Sequence, residues 1–324
     1  MGEPAFRGRQ LFRWLWNPGF SDINQATDLS RKFRELVGKT GEFYLPETEC
    51  VKKSVDGTVK WAFRLRDGRI IETVLIPEKA HTTICVSSQV GCAMGCSFCH
   101  TASMGFVRQL VPSEIAGQVL AASAMVKPES RPRNIVFMGM GEPFANYENV
   151  MAGIEILTDD LGLNFSCRRI TISTCGLVDG IKRMEKDGVD AGLAISLHAP
   201  DDSLRSAIMP VNRLHPLEQL LDACRNFRMK ARRRITFEYL LLAGINDSPE
   251  HAERVALQLR GIRSKINLIP FNESKGLPYG KPGPRSVERF RALLMKKGYT
   301  VIVRKSKGRD ISAACGQLYA EIKG

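Results

Sequence analysis

The 324-residue sequence contains no apolar run approaching a membrane span, which takes about 20 consecutive residues. Its first residues, Met1 to Arg13, are basic and aromatic and lack the apolar core of a secretory signal. A cytoplasmic protein is therefore expected. Acidic residues are also short: 34 Asp and Glu stand against 47 Lys and Arg, leaving a net charge of +13. The excess gathers at Arg7, Arg9 and Arg13, at Arg31, Lys32 and Arg34, at Arg232 to Arg234, and from Lys296 to Arg309. Such a surface favours a polyanion, most simply nucleic acid, with an affinity that weakens as salt rises. Nine cysteines are present, and in the absence of a secretion signal they point to metal or redox chemistry rather than to a disulfide scaffold.

Three of those cysteines, Cys92, Cys96 and Cys99, form a C-x3-C-x2-C pattern inside Gly91-Cys-Ala-Met-Gly-Cys-Ser-Phe-Cys-His100. A loop this short can point three thiolates at one object. Iron–sulfur clusters ordinarily take four cysteine ligands, so three would leave one iron of a [4Fe-4S] cluster open to a further ligand. A structural zinc held by the same three cysteines and His100 is the competing reading. Zinc modules usually bring two separated ligand pairs, whereas here the adjacent Cys99 and His100 would have to chelate together.

The rest of the chain reads as three parts. Residues 1 to about 45 are helical, with Arg9 to Trp16 amphipathic, a stop at Asn17-Pro18-Gly19, and a second helix near Leu29 to Val37. Trp14 and Trp16 on such a face are expected to be core residues. Two Asp-Gly turns, Asp56-Gly57 and Asp67-Gly68, divide a meander into Val51 to Val55, Val59 to Leu65 and Ile70 to Ile76. Glu72 falls in the third run, where a carboxylate ordinarily faces solvent.

From residue 82 strands alternate with helices. The strands are Thr82 to Ser87, Asn134 to Met140, Arg169 to Thr174, Gly192 to His198, Ile235 to Leu241 and Ile266 to Pro270. Helices follow each of them, the last near Ser286 to Lys297, before a final apolar run, Thr300 to Val303. Six β/α units predict a parallel sheet covered by helices, an incomplete barrel open on one side. Functional groups in such folds gather at the C-terminal strand ends. Those ends carry the cysteine loop, the Gly139-Met140-Gly141-Glu142-Pro143 turn, Ser173-Thr174, Ser196-Leu197-His198 and Phe271-Asn272. A glycine turn admits a ligand close to the backbone, and Glu142 can accept hydrogen bonds from an ammonium group.

The cysteine spacing is similar to that of the radical S-adenosylmethionine (SAM) superfamily. Together with Phe6-Arg7-Gly8-Arg9-Gln10, Cys85 to Cys92, Ile195 to Pro200, Asn246-Asp247-Ser248 and Ala313 to Leu318, it resembles the RlmN-type adenine methyltransferases over almost the whole chain. The resemblance implies the following. The fold is α/β, an incomplete (β/α)6 radical SAM barrel over residues 81–324, with a helical RNA-binding domain at 1–48 and a β-meander extension at 49–80. Cys92, Cys96 and Cys99 hold a [4Fe-4S] cluster. Gly141, Glu142, Ser173, Ser196, Leu197, His198 and Asn272 contact SAM. Cys315 accepts a methyl group, Cys85 is its redox partner, and Glu72 handles a proton. The reaction methylates carbon 2 of an adenine in 23S ribosomal RNA and in transfer RNA, with electrons from a flavodoxin or ferredoxin. The related Cfr-type enzymes, which modify carbon 8, share these motifs. A glycyl-radical activase would share the cluster but need no Cys315.

Overall fold

The computed structural model describes residues 3–230, 233–274 and 276–318; Met1, and Arg232 of one basic cluster, lie outside them. Two helices come first, α1 (Ala5–Leu15) and α2 (Arg31–Thr40), followed by a meander of β1 (Glu47–Lys53), β2 (Val59–Arg64) and β3 (Ile70–Pro77). The strand β4 (Thr82–Cys85) opens the parallel part. After it a small hairpin, β5 (Gln89–Gly91) with β6 (Phe106–Gln109), brackets the cysteine loop and a single turn, α3 (His100–Ser103). The chain then runs α4 (Pro112–Ala124), β7 (Asn134–Phe137), α5 (Tyr147–Thr158), β8 (Ile170–Thr174), α6 (Val178–Lys186), β9 (Gly192–Ser196), α7 (Asp202–Ile208), α8 (Leu217–Asn226), β10 (Ile235–Leu241), α9 (Pro249–Gln258), β11 (Ser264–Pro270), α10 (Pro284–Lys296) and β12 (Thr300–Val303).

The six expected units are present. Ten strands form one sheet in the order β1-β2-β3-β4-β7-β8-β9-β10-β11-β12, parallel from β4 onward and antiparallel through the meander. No pairing joins β1 to β12 among the described residues, so the sheet curves without closing. The meander is continuous with the barrel sheet, because β3 pairs antiparallel with β4 (Val74 opposite Cys85). Several strands stop short of their expected ends. β4 leaves the ladder before Ser87, β7 before Met140 and β9 before His198, since at these points the chain turns over the mouth of the barrel.

The central strands β9 and β10 are buried on both faces, as apolar strands between helices and the barrel interior must be, while β7 and β8 alternate buried and half-buried residues. Residues opposite one another across the ladder share a face. The register thus puts Glu72 opposite Ala62, Val74 opposite Cys85, Cys85 opposite Val136, Ser173 opposite Ala194, and Glu238 opposite Ser196. One continuous inner face therefore runs from the meander into the barrel. At the N-terminus, α2 is capped by Ser30, whose hydroxyl accepts from the Phe33 N–H (3.3 Å). Phe33 and Val37 join Ile23, Ala26 and Leu29 in a small separate core. Trp14 packs on that core and donates to Asp28 (2.6 Å), while Trp16 packs on the main one.

Candidate active site

The cysteine loop is pinned at its base by a close backbone approach. The Cys92 N–H donates to the Gly105 carbonyl (2.9 Å), and a Cβ on Gly91, whose φ is +74°, would stand 1.8 Å from that same oxygen. Only glycine fits there. Farther along, the Cys99 N–H donates to the Cys96 carbonyl (3.1 Å), and the Ser97 N–H to Ile208 (3.0 Å). All three cysteines line one cavity at the C-terminal ends of the strands. Burial raises the Cys92 thiol to about 12 and pushes Cys96 higher still, each raised further by neighbouring cysteines. A metal bound at Cys92 and Cys96 would displace their thiol protons.

Among the described residues no three His, Cys, Asp or Glu converge tightly enough to hold a single metal ion. The His100 ring is engaged by the Ser274 hydroxyl (2.6 Å). With the His100 ring bonded to Ser274, the loop offers three thiols, the donor set of a cluster with one open iron rather than of a Cys3His zinc.

Opposite the loop, the turn after β7 carries the carboxylate of Glu142. Gly141 sits at φ +98°, and a Cβ there would meet Gln89 at 2.5 Å. Gln89 in turn accepts from the Glu142 N–H (2.8 Å). The Glu142 carboxylate is buried and takes two backbone donors, Phe144 N–H (3.0 Å) and Cys175 N–H (2.7 Å). Its pKa is nonetheless raised, because burial outweighs those bonds.

His198 also lines the cavity, in the left-handed region at φ +57°. Its Nδ1 accepts from the Leu240 N–H (3.0 Å), so the neutral ring carries its proton on Nε2. Burial, with the charge of Arg205 behind it, lowers its pKa to about 3. The Phe98 ring meets it edge-on, with centroids 5.0 Å apart.

Ser173, Ser196, Asn272, Gly141 and Cys315 are in the same lining. Cys315 is exposed, yet the enclosing walls still desolvate its thiol and raise its pKa, with Arg304 the main opposing charge. Three expected site residues do not line the cavity. Leu197 is buried beneath it and contributes its backbone, donating from N–H to Glu238 (3.0 Å). Cys85 is buried on the inner sheet face; burial raises its thiol, and the charge of Cys315 adds to that rise. Glu72 does not face solvent as a carboxylate in such a strand ordinarily would. It is buried and paired with the ammonium of Lys60 (2.7 Å), and the Ser87 hydroxyl donates to its backbone carbonyl (2.7 Å).

Glu238, Cys175 and Arg205 belong to this site without having been singled out, and part of the basic run Lys296 to Arg309 joins them. Glu238, a carboxylate in the apolar run Ile235 to Leu241, lines the cavity and accepts from Asn267 (2.8 Å). The period-two pattern of that strand offered a signal for it. Arg304, Lys305 and Lys307 make the mouth basic. Cys175 lines the cavity as well. Beneath the floor lies Arg205, fully buried, donating to the carbonyls of Cys175 (2.6 Å), Ser196 (3.0 Å) and Leu197 (3.1 Å) and to Asn212 (2.8 Å). No sequence pattern announced it.

The family description "Radical SAM superfamily" matches residues 86–255, and "Ribosomal RNA large subunit methyltransferase N-terminal domain" matches residues 1–41. "Dual-specificity RNA methyltransferase RlmN" of Desulfotalea psychrophila is 50% identical over 98% of this chain and 90% of its own. The enzyme of that name from Syntrophus aciditrophicus is 49% identical over 98% and 91%. The chain belongs to the RlmN family of the radical SAM superfamily. A crystal structure of a radical SAM methyltransferase from Sphaerobacter thermophilus, 44% identical, superimposes with a TM-score of 0.94 over 99% of this chain and 94% of that one. Radical SAM membership makes a [4Fe-4S] cluster and SAM the cofactors of this RlmN-family chain. No helix among its described residues is long and apolar enough to cross a membrane.

Proposed function

We propose that the chain methylates carbon 2 of an adenine in 23S ribosomal RNA and in transfer RNA, with Cys315 as the carrier of the one-carbon unit. The observation that supports this reading most is the place of Cys315, in the lining of the cavity that also holds Cys92, Cys96 and Cys99. Carbon 2 lies between two ring nitrogens and is electron-poor, so it does not attack an electrophilic methyl group. A sulfur carrier avoids that obstacle. The three loop cysteines would hold the cluster, and Gly141, Glu142, Ser173, Ser196, His198 and Asn272 would seat SAM, with Leu197 supporting them through its backbone. Cluster and SAM, when bound, supply the methyl group and the one-electron chemistry.

The chain's own residues then have defined tasks. The backbone donors on Glu142 fix its carboxylate toward a ligand ammonium. Neutral His198 offers an N–H without adding charge. Cys315 methylation requires its thiolate, which the Arg304 cation favours against burial. The one-electron chemistry of cluster and SAM would remove one hydrogen atom from the Cys315 methyl and accept one electron as the sulfur-bound methylene joins carbon 2, while a base takes the carbon 2 proton. The Cys85 thiolate attacks the Cys315 sulfur, a disulfide forms, and the electron pair of the broken S–C bond takes a proton to complete the methyl group. An external donor of the flavodoxin or ferredoxin kind supplies the electrons. Glu72 is the candidate for the carbon 2 proton. It stands behind the lining on the sheet face of Cys85, paired with Lys60. Basic residues at the mouth and on α1 and α2 suit RNA phosphates.

The test is anaerobic turnover with methyl-labelled SAM and protein-free RNA, followed by mass spectrometry of the nucleosides. The expected product is 2-methyladenosine. An 8-methyl product would move the chain to the Cfr-type reaction, and no labelled nucleoside would overturn the assignment.

A further inference from the structure

The segment that carries Cys315 is held from two sides. On one side it rests on the end of the cysteine loop: the His100 N–H donates to the Gly316 carbonyl (2.8 Å), and the Thr101 hydroxyl to Leu318 (2.8 Å). On the other side it is clasped by the β1–β2 hairpin. The Asp56 carboxylate accepts from the Gly308 N–H (3.0 Å), and Asp310 accepts from the Ser54 hydroxyl (2.6 Å) and the Val55 N–H (3.2 Å). Each segment thus places an aspartate on the other's donors.

The innermost contact of this clasp is a single buried ammonium. Lys60 is 5% exposed; its Nζ stands 2.7 Å from the Glu72 carboxylate and donates to the Ser312 carbonyl (3.0 Å). Ser312 lies at φ +51°, a conformation that costs a non-glycine residue energy and persists where its surroundings hold it. The next residues, Ala313 and Ala314, are buried, and Cys315 follows in the cavity lining. A buried lysine is expensive unless paired, and Glu72 provides the pair. The same ammonium also reaching a strained carbonyl three residues before Cys315 joins two otherwise separate parts of the molecule.

We propose that Lys60 is a positioning residue for Cys315, fixing the Ser312 turn so that the sulfur is presented to the cavity while Glu72 is held beside the inner sheet face. The functional importance of this rests on the reading of Cys315 as carrier; the anchoring itself does not.

Lys60→Met alone would strand a buried carboxylate and is open to misfolding. The informative comparison is Glu72→Gln, which leaves the ammonium on the Ser312 carbonyl without its carboxylate, against Lys60→Met/Glu72→Gln, which buries no charge at either position. The single variant retains the donor to Ser312 and the double variant lacks it. Hydrogen exchange by mass spectrometry on anaerobically reconstituted protein, with iron content as the check on folding, reads the Gly308 and Ala313 amides. These two are held by Asp56 and by the Gly308 carbonyl (2.9 Å). Loss of a charged hydrogen bond should speed their exchange at least about tenfold in the double variant only. Equal exchange in the two variants, with iron bound in both, would overturn the proposal. Cys315→Ala assayed in parallel separates the two ideas: if it still turns over, the carrier reading fails while the anchoring result stands.

Discussion

Replacing Arg205 tests whether the cavity floor is organised by a single side chain. The guanidinium is fully buried, and its four bonds go to three backbone carbonyls and the Asn212 amide oxygen, none to a carboxylate. Its pKa is lowered by burial accordingly. In Arg205→Met, the Leu197 carbonyl keeps a second donor, the Ala199 N–H (2.8 Å). Three acceptors then lose the donor that Arg205 supplied: Cys175 and Ser196 oxygens and Asn212 Oδ1. At about 1–3 kcal/mol for each buried acceptor left unmatched, the gross loss is roughly 3–9 kcal/mol. Removing a cation that has no carboxylate partner returns part of that, on the order of several kcal/mol. A net destabilisation of about 2–4 kcal/mol is expected, a large share of a typical domain's margin of about 5–15 kcal/mol. Urea unfolding of the apoprotein under anaerobic conditions measures it. The loss should also reach the ligand, because Cys175, whose carbonyl Arg205 holds, donates its N–H to Glu142. SAM affinity should weaken by at least about tenfold, equivalent to about 1.4 kcal/mol. Arg205→Lys keeps the charge but cannot reach four diverging acceptors, and should fall between. A methionine variant that unfolds within about 0.5 kcal/mol of the parent and binds SAM unchanged would refute the reasoning.

Four other outcomes follow from the same geometry. Gly141→Ala places a Cβ 2.5 Å from Gln89 at a positive φ, so it should abolish SAM binding by equilibrium dialysis while the fold, read by circular dichroism, persists. Alanine at Cys92, Cys96 or Cys99 should remove the brown absorbance of reconstituted protein; a triple variant that still binds iron and sulfide in stoichiometric amounts would exclude these ligands. Cys85→Ala should stall with RNA covalently bound and show a slow band on a denaturing gel, whereas Cys315→Ala and the double variant should show none. Finally, hydrogen-bonding groups hold the Asp56 pKa at about 2 despite partial burial, which alone would raise it. A depressed carboxylate pKa contributes stability above its unfolded value near 4 and loses it as pH falls toward 2. The exchange protection factor of the Gly308 amide should therefore be flat above about pH 4 and fall between about pH 4 and 2, a drop that Asp56→Asn should remove.

What the sequence disclosed was chemistry fixed by residue type at short spacing. Cys92, Cys96 and Cys99 cannot be exchanged for other residues in a cluster loop, and glycine is required where Gly141 turns, so both stand out in a bare chain. The strands were legible because apolar runs buried on both faces look unlike anything else. Arg205 was not legible, since its partners are carbonyls, and every residue has a carbonyl. α7, the helix that carries it, is short and lies between β9 and α8, where one helix was expected. Lys60 was hidden for a different reason. A lysine in a β-hairpin reads as a solvated edge residue until the register sets it on the inner face with Glu72. The same burial makes Glu72 differ from the solvent-facing carboxylate that its strand position suggests.

The open sheet gives these hidden residues their place. A closed eight-stranded barrel fills its interior with side chains and is too narrow for a polynucleotide. Here the sheet stops with β1 at one edge and β12 at the other, unpaired to each other among the described residues. Yet the two ends meet: Asp56 in the turn after β1 and Lys60 of β2 bind the chain that follows β12, whose Asp310 reaches back to the same turn. Hydrogen bonds to side chains complete the ring where strand pairing does not. A full β-ladder between the edges would need concerted loss of many backbone bonds to open. Four hydrogen bonds made by three side chains, Asp56, Asp310 and Lys60, bridge the gap instead, and the segment they hold carries Cys315.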